Sequence, residues 1–525
     1  MDRLTENPKL PLLAGTALAA AALMIHTLCQ PKHKAHYREL EQPDSTLPVV
    51  GNFLDIAGRV DDYHDWILEQ TLRFEGRPWK LTMPGQGEAI VVSSPDAIEE
   101  VMSTQFENFG KGPYQCELLR EFFGYAFGTD DGELWYHQRK VAVKFFSTKT
   151  LDLFMRESIH KGVLRVQNEI EAATNKDEII NLRMLFQDFT LDTFIEMGLG
   201  VDLESVGAKT RHPVHEALEA TSKIIFERFR NPAWVWKFMR WANVGHEREL
   251  RRHMEVVNNW MHEMIQHGVE QSIQKKQRCV DISQNGVEPK QNYKSVLDLF
   301  LESPEGEAEG FTKDHLSDFI LSLVVGATDS TADTLTWIFY ALHKNPDVEK
   351  RLREEMETVL SGVDTTTYLT MEHLKPLVYL EAVIKETLRV YPAGPNTFRE
   401  AKLDTIICGD IFVRKGQQVM TPQYAMGRNP AVWGPDATEF RPERWINLET
   451  GKLKPISASK FFSFSAGPRI CPGMSLAMME LRIMVANLMH RYRFEVDPSV
   501  DGTYTMGVTL LMKQPLRVKA ISLGG

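Results

Sequence analysis

The ten residues Phe464-Ser465-Ala466-Gly467-Pro468-Arg469-Ile470-Cys471-Pro472-Gly473 place a thiol between two glycines, beside a fixed cation and just ahead of a helix expected over Met474–His490. Thiolate, not thiol, is the nucleophile and metal ligand. A helix start supplies a positive dipole end and free backbone N–H groups, which favour that ionised form and tune any metal it holds. The alternative, an inert buried cysteine, is the better reading of Cys29, Cys116, Cys279 and Cys408. A second candidate is Gly326-Ala327-Thr328-Asp329-Ser330-Thr331, where an acid adjoins an alcohol. Such a pair can move protons through a hydroxyl and ordered water. Taken alone, an Asp-Ser pair that bends its helix by bonding back to a carbonyl is the better reading. Trp135 and Arg139 stand one helical turn apart and can point the same way, although alone they read as an ordinary packed surface pair. Glu386 and Arg389 share a Glu-x-x-Arg spacing with Glu117–Arg120 and Glu249–Arg252, and those last two read as solvated helix-surface pairs.

The elements that must position these groups follow from pattern. Trp79–Thr82 and Ala89–Ser93, separated by Pro84, Gly85 and Gly87, predict a β-hairpin. Ser94-Pro95-Asp96 then starts a helix. From Asp131 to about Lys350 the pattern is mainly helical, with polar surface loops expected at Cys279–Lys294 and Glu302–Lys313. Leu316–Leu342 is long, apolar-rich and expected to be buried on most sides. Pro392 ends the helix that carries Glu386 and Arg389, and β-like runs follow at Thr405–Val413 and Gln418–Thr421. No internal repeat or low-complexity tract is visible.

The chain has 525 residues, 43% hydrophobic and 25% charged, which excludes wholesale disorder. Its net charge of −11 removes any general case for nucleic-acid binding. Its 5 cysteines are odd in number and far apart, with no Cys-x-x-Cys pair, so neither a disulfide framework nor structural zinc is expected and a reducing compartment fits. Leu10–Cys29 carries no formal charge, and a helix of that length spans roughly 30 Å, the thickness of a bilayer core. A membrane anchor over residues 1–30 is expected; a cleaved signal peptide is the alternative, given the alanines at 19–22. Basic residues flank both ends of the segment, so orientation is not decided by charge. Residues 31–51, with Pro43, Pro48 and Gly51, read as a stiff basic linker into a catalytic domain over 52–525.

The cysteine loop resembles the haem-binding loop of cytochrome P450s, Phe-x-x-Gly-x-Arg-x-Cys-x-Gly, at every fixed position. The resemblance implies a mainly α cytochrome P450 fold, an α-rich haem-thiolate domain with a small β-rich region. It implies haem b with Cys471 as axial ligand to the iron, donating electron density that helps activate dioxygen. Phe464, Arg469 and Gly473 then belong to the cofactor site, with Gly467 and Gly473 allowing tight turns and close approach and Arg469 facing a propionate. It also assigns Trp135, Arg139 and Arg399 to the propionates. Phe440-Arg441-Pro442-Glu443-Arg444-Trp445 resembles the family's Pro-Glu-Arg segment, which implies a buried network of Glu386, Arg389 and Arg444 acting as a structural lock. In the long helix the resemblance makes Asp329 a proton relay and Ser330 the hydrogen-bonding alcohol. Two positions depart from the usual pattern: Ala327 stands for glycine, and Ser330, which lacks β-branching, stands for threonine. Both departures predict extra loss of reducing equivalents as peroxide.

Over the chain from Leu47 to Ala520 the resemblance is to membrane-bound fatty-acid ω-hydroxylases of plants and fungi, carried by Asn108–Tyr114, Asp131–Trp135 and Ala425–Arg428. It implies an apolar pocket drawn from 114–127, 226–229, 326–330, 395–397 and 506–509, with Gly326, Ala327, Pro395 and Val508 as substrate contacts. Any buried core has a similar composition. No flavin or nicotinamide fingerprint is present, so electrons must come from outside. The family implies NADPH-cytochrome P450 reductase, with O2 as co-substrate, at the endoplasmic reticulum membrane with the catalytic domain facing the cytosol. Lys140, Lys144 and Lys149 are a candidate docking patch, scattered solvated lysines being the alternative. Two rival functions stay open: a P450 that rearranges lipid hydroperoxides without a reductase, and a non-catalytic haem or lipid carrier.

Overall fold

The computed structural model describes residues 37–59, 61–146, 155–284, 295–301 and 313–523. The expected anchor at Leu10–Cys29 lies outside them, as do Lys149 and the stretches 285–294 and 302–312. Among the described residues no helix is long and apolar enough to cross a membrane.

Helices dominate, and the longest apolar pattern becomes the central one, Lys313–Lys344. It packs most extensively on the Leu182–Leu199 helix, where Phe186 and Phe339 stack at 5.6 Å between ring centroids. Leu335 and Ile338 are wholly buried, as a helix apolar on most faces requires. The Val378–Val390 and Met474–Arg491 helices pack against it and against each other. Trp337 stacks flat on Tyr391, 4.3 Å away, at the point where the Val378–Val390 helix stops before Pro392.

The β region is small. Trp79–Met83 and Gly87–Val91 form the expected hairpin, and Ser94 caps the following Pro95–Glu99 helix by accepting from the Ala97 N–H. The hairpin continues into Gln418–Thr421, Thr397–Ala401 and Phe109–Gly110 as one mixed sheet. Thr397–Ala401 is not legible as a strand in the sequence, yet it carries Arg399, paired with Val419. Thr405–Ile407 and Ile411–Val413 make a separate hairpin, and the carboxyl-terminal strand Arg517–Ser522 pairs with Tyr492–Val496 and Ile180–Asn181.

One expectation changes. The loop expected from Cys279 begins later, because the Gly245–Gln284 helix runs through that cysteine; a polar helix surface and a polar loop look alike in sequence. From Tyr37 onward the stretch read as a stiff linker lies on the body. Arg38 pairs with Asp410 at 2.8 Å, Lys80 donates its N–H to the Glu41 carbonyl at 2.8 Å, and Gly51, at φ +54°, lies so close to Thr82 that no Cβ would fit.

Candidate active site

The cysteine loop leaves the core through the short helical turns Phe462–Phe464 and Gly467–Arg469. Gly467 is required twice over: its φ is +65°, and a Cβ there would fall 2.0 Å from the Met102 carbonyl. The Cys471 N–H then donates to the Phe464 carbonyl at 2.8 Å, fixing the thiol at the cavity wall. Gly473 behaves differently from the expected tight turn. Its φ is −86°, which any residue adopts, and a Cβ would make only ordinary contact, 3.9 Å from the Cys471 Sγ and 4.0 Å from the Phe146 ring. Its lack of a side chain therefore matters only toward the cavity. Burial raises the Cys471 thiol, while the backbone N–H groups of Gly473 and Met474 and the Arg139 guanidinium work against that rise. These donors stabilise a thiolate once a cation binds it.

Cys471 opens on a cavity of about 420 Å³ whose walls include Phe464, Leu388, Leu476, Gly326, Ala327 and Val508. Trp135 and Arg139, on the Gly132–Phe145 helix, line the same space, as do Arg399 and Arg469. Arg469 lies 4.6 Å over the Trp135 ring, donates to the Asp130 carbonyl at 3.1 Å and pairs with Asp131; its buried Nε has no partner among the described residues. Burial, reinforced by Arg469 and opposed by Asp131, pushes Arg399 down to about 9. Lys111, also in the wall, is driven by burial and by both arginines down to about 7. Asp131 is the hub of this rim: it accepts from the Lys111 N–H at 2.9 Å and the Gly112 N–H at 3.2 Å. Against its own burial, those bonds and Arg469 hold its carboxyl below the usual range. Positive charge thus exceeds negative on one wall of an otherwise apolar cavity, with a thiol on another. A flat apolar macrocycle bearing carboxylates and a metal suits that donor set, so the residues present fit haem.

Beneath the cavity the expected network is assembled. Arg389 donates to both oxygens of Glu386 at 2.8 Å, Arg444 donates to Glu386 Oε1 at 3.0 Å, and Trp445 donates to Glu386 Oε2 at 2.9 Å. The remaining Arg389 N–H groups are met by the carbonyls of Gly427, Ala437 and Glu439. Ser463 ties this layer to the cysteine loop by donating to the Leu388 carbonyl at 2.8 Å. The two look-alike pairs are not pairs at all. Glu117 bonds Lys237 and Arg240, Arg120 bonds Asp130, and Glu249 faces His246.

On the opposite wall, Asp329 and Ser330 line the cavity from the Lys313–Lys344 helix. The Ser330 hydroxyl donates to the Gly326 carbonyl at 2.7 Å, the back-bonded arrangement open at the sequence level. Burial raises the Asp329 carboxyl, with Arg183 and His215 opposing. A second cavity of about 290 Å³ holds Pro395 together with Tyr63, Leu119, Phe226 and Phe229. It shares Lys111, Phe123, Thr397 and Val508 with the first as a common wall. Lys111 and Asp131 escape detection because their signal is tertiary: the sequence shows only a lysine between glycines and an acid before one.

The cytochrome P450 family model matches residues 42–520. The chain is 30% identical over 491 residues to cytochrome P450 monooxygenase cyp1 of Mycosarcoma maydis, covering 90% of this chain and 74% of that protein. It is 29% identical over 521 residues to cytochrome P450 86B1 of Arabidopsis thaliana, covering 95% and 88% respectively. Cytochrome P450 704C1 of Pinus taeda is 29% identical over 486 residues, covering 89% and 90%. With its fold, its cysteine loop and these matches in agreement, the chain belongs to the cytochrome P450 family and is an oxidoreductase of the monooxygenase type.

Proposed function

We propose that this protein inserts one oxygen atom of O2 into a C–H bond of a long-chain lipid, with ω-hydroxylation of a fatty acid as the reading its pocket supports best. Cys471 would supply the thiolate ligand to the haem iron, Arg139, Arg399, Arg469 and Trp135 would hold the propionates, and Phe464 and Gly473 would frame the loop. Haem b, when bound, supplies the iron at which O2 is activated. The chain's own residues do the rest. Asp329 and Ser330 hold and pass protons at one wall, and the apolar lining excludes bulk water.

The observation that carries this reading is the pair of adjoining apolar cavities, lined by Gly326, Ala327 and Val508 near Cys471 and by Pro395, Phe226 and Phe229 farther out. Two adjoining cavities with aromatic walls suit an extended apolar chain, and holding it so that only its end meets the reacting centre favours that end over the weaker internal C–H bonds. Electrons come from NADPH through NADPH-cytochrome P450 reductase, docking where Lys140 is exposed next to Arg139.

Membrane association at the endoplasmic reticulum, with the catalytic domain in the cytosol, completes the proposal. Besides the apolar Leu10–Cys29 segment, support comes from the Ala233–Ala242 helix, which turns Trp234, Phe238 and Trp241 outward, 69%, 58% and 81% exposed. Tryptophan at such density on one helix face suits a headgroup region. The test is a panel of fatty acids, alcohols and alkanes with reductase and NADPH, the oxidised position read by mass spectrometry. Terminal hydroxylation of fatty acids is expected; internal oxidation, or turnover of hydroperoxides without NADPH, overturns the reading.

A further inference from the structure

One turn beyond Asp329, on the same helix, lies a second carboxylate that the family resemblance gives no role. Asp333 is 1% exposed and is held from two sides. Arg183 Nε donates to its Oδ1 at 3.1 Å, and the Thr509 hydroxyl donates to its Oδ2 at 2.9 Å. Arg183 also reaches Glu219, donating from Nη1 to Oε2 at 3.1 Å. Glu219 is 23% exposed and bonded by Lys223 at 2.8 Å, so it meets solvent. Thr509 lines the large cavity, and its loop is pinned on both sides. Trp337 Nε1 donates to the Leu510 carbonyl at 2.8 Å, and the Val508 N–H donates to Ser222 at 3.0 Å. Surface carboxylate, guanidinium, buried carboxylate and cavity-facing hydroxyl therefore form an unbroken chain of hydrogen bonds.

We propose that Asp333 is a proton-donating residue of the monooxygenase reaction, positioned by Arg183 and passing its proton through the Thr509 hydroxyl into the Cys471 cavity, in parallel with Asp329–Ser330, and retaking one through the same hydroxyl from cavity water between turnovers. The inference rests on the monooxygenase reading. That reaction takes up two protons and two electrons per O2, one oxygen atom entering the product and the other leaving as water, the electrons coming from the reductase. A hydroxyl both accepts and donates, so a proton given to Thr509 Oγ by Asp333 frees the one it already carries toward the cavity. Arg183 stays charged and acts as a positioning residue, holding both carboxylates on one guanidinium.

An ordinary structural ion pair has a different charge balance. The groups around Asp333 are Asp329 on its own helix, Arg183 and Asp188 on Leu182–Leu199, His215, Glu219 and Lys223 on Pro213–Arg230, and Thr509. Arg183 is shared by Asp333 and Glu219 and also faces Asp329, so one buried guanidinium serves more carboxylate than it can neutralise. Such a cluster keeps a proton. In agreement, burial pushes Asp333 up to about 7, with Asp329 adding to the rise and Arg183 and Thr509 opposing it.

The test uses the full-length haem-loaded protein with reductase and NADPH, and two independent readouts. Asp333→Asn and Thr509→Val are expected to lower product formed per NADPH by about tenfold, with peroxide making up the difference and a larger solvent deuterium isotope effect. Thr509→Ser should restore the ratio. Thr509→Val leaves the Asp333–Arg183 pair intact, so the test survives if Asp333→Asn does not fold. An infrared pH titration, which needs no turnover, should show protonated-carboxyl intensity near neutral pH, of which the Asp333→Asn difference spectrum removes one component while those of Glu480 and Asp329 remain. Unchanged ratios and isotope effects in Thr509→Val, or a carboxyl spectrum identical in wild type and Asp333→Asn, overturn the proposal. A wild type that yields no oxidised lipid removes the functional reading, while the infrared result still decides whether Asp333 carries the proton.

Discussion

The Ser330 hydroxyl donates to the carbonyl of Gly326, 2.7 Å away and one helical turn earlier. Parked there, it is committed to its own helix and must rotate to serve the cavity. Serine's χ1 lets it do so but holds no single orientation, whereas threonine is restricted by its second branch. Ser330→Thr is therefore expected to raise product per NADPH by up to about twofold and lower peroxide, and Ser330→Ala to do the reverse. A ratio that stays flat or drops in Ser330→Thr removes the argument.

Glu386 carries Arg389, Arg444, Trp445 and the Arg441 N–H on two oxygens. Removing it strands two guanidinium groups in a buried layer, at a cost of about 3–5 kcal/mol. Glu386→Gln should thus be purified with little or no haem and a sharply lowered melting temperature. Glu117→Gln, which touches only Lys237 and Arg240 at the surface, should stay within about 1 kcal/mol of wild type. Retention of full haem content by Glu386→Gln speaks against a structural lock.

Much of this was legible before any coordinates because it is local. The cysteine loop, the helix over Lys313–Lys344 and the first hairpin each depend on neighbours within a few residues. Arg399 lines the cavity from a strand that the sequence does not show, because a motif fixes a residue without fixing its secondary structure. Lys111, Asp131 and Asp333 are silent for the opposite reason. Asp131 meets Arg469, and Asp333 meets Arg183 and Thr509, only across folded elements. A buried acid between Ala332 and Thr334 is indistinguishable in sequence from a solvated one.

The two glycines of the cysteine loop should respond oppositely to a methyl group. Gly467→Ala meets both a left-handed φ of +65° and a backbone oxygen 2.0 Å away, so the loop must shift and the fold should lose about 1–3 kcal/mol or more. Gly473→Ala meets no protein atom closer than 3.9 Å and should leave denaturant stability of the haem-free chain unchanged. Its methyl projects beside Cys471, so haem binding should weaken instead. Equal effects of the two on haem-free stability run against the cradle reading of Gly473.

Glu480 lines the large cavity, and burial pushes its carboxyl up to about 8. Because this value lies above that of an unfolded glutamate, about 4.3, the folded protein holds the extra proton between the two. Stability is then fully present below the unfolded value and falls as pH rises, by up to about 1.4 kcal/mol per unit, levelling off above about 8. Glu480→Gln removes that slope. Urea midpoints of wild type and variant should coincide near pH 4 and separate progressively toward pH 8, the variant being the more stable. Parallel curves across that range indicate a Glu480 that is ionised in the folded state.

The outward face of the Ala233–Ala242 helix supplies the last prediction. Trp234, Phe238 and Trp241 recur at helical spacing on the exposed side, while Trp236 is 2% exposed on the other. The helix follows directly on Pro213–Arg230, which lends Phe226 and Phe229 to the outer cavity, and Gly85 of the first hairpin turn approaches Ala233 to within 3.8 Å of where its Cβ would stand. Leu54, 60% exposed, belongs to the Phe53–Gly58 helix that packs on the same Pro213–Arg230 helix. Apolar side chains and the outer cavity therefore share one end of the molecule. If that end rests in the headgroup layer, an apolar substrate passes from lipid to pocket without crossing water. Brominated lipids in vesicles should quench the fluorescence of the full-length protein, and the double variant Trp234→Ser, Trp241→Ser should lose most of that quenching. The same variant should raise the apparent KM for membrane-dissolved fatty acids several-fold with kcat nearly unchanged, because the reacting end of the pocket is untouched. Quenching that persists in the double variant places the lipid contact elsewhere on the surface.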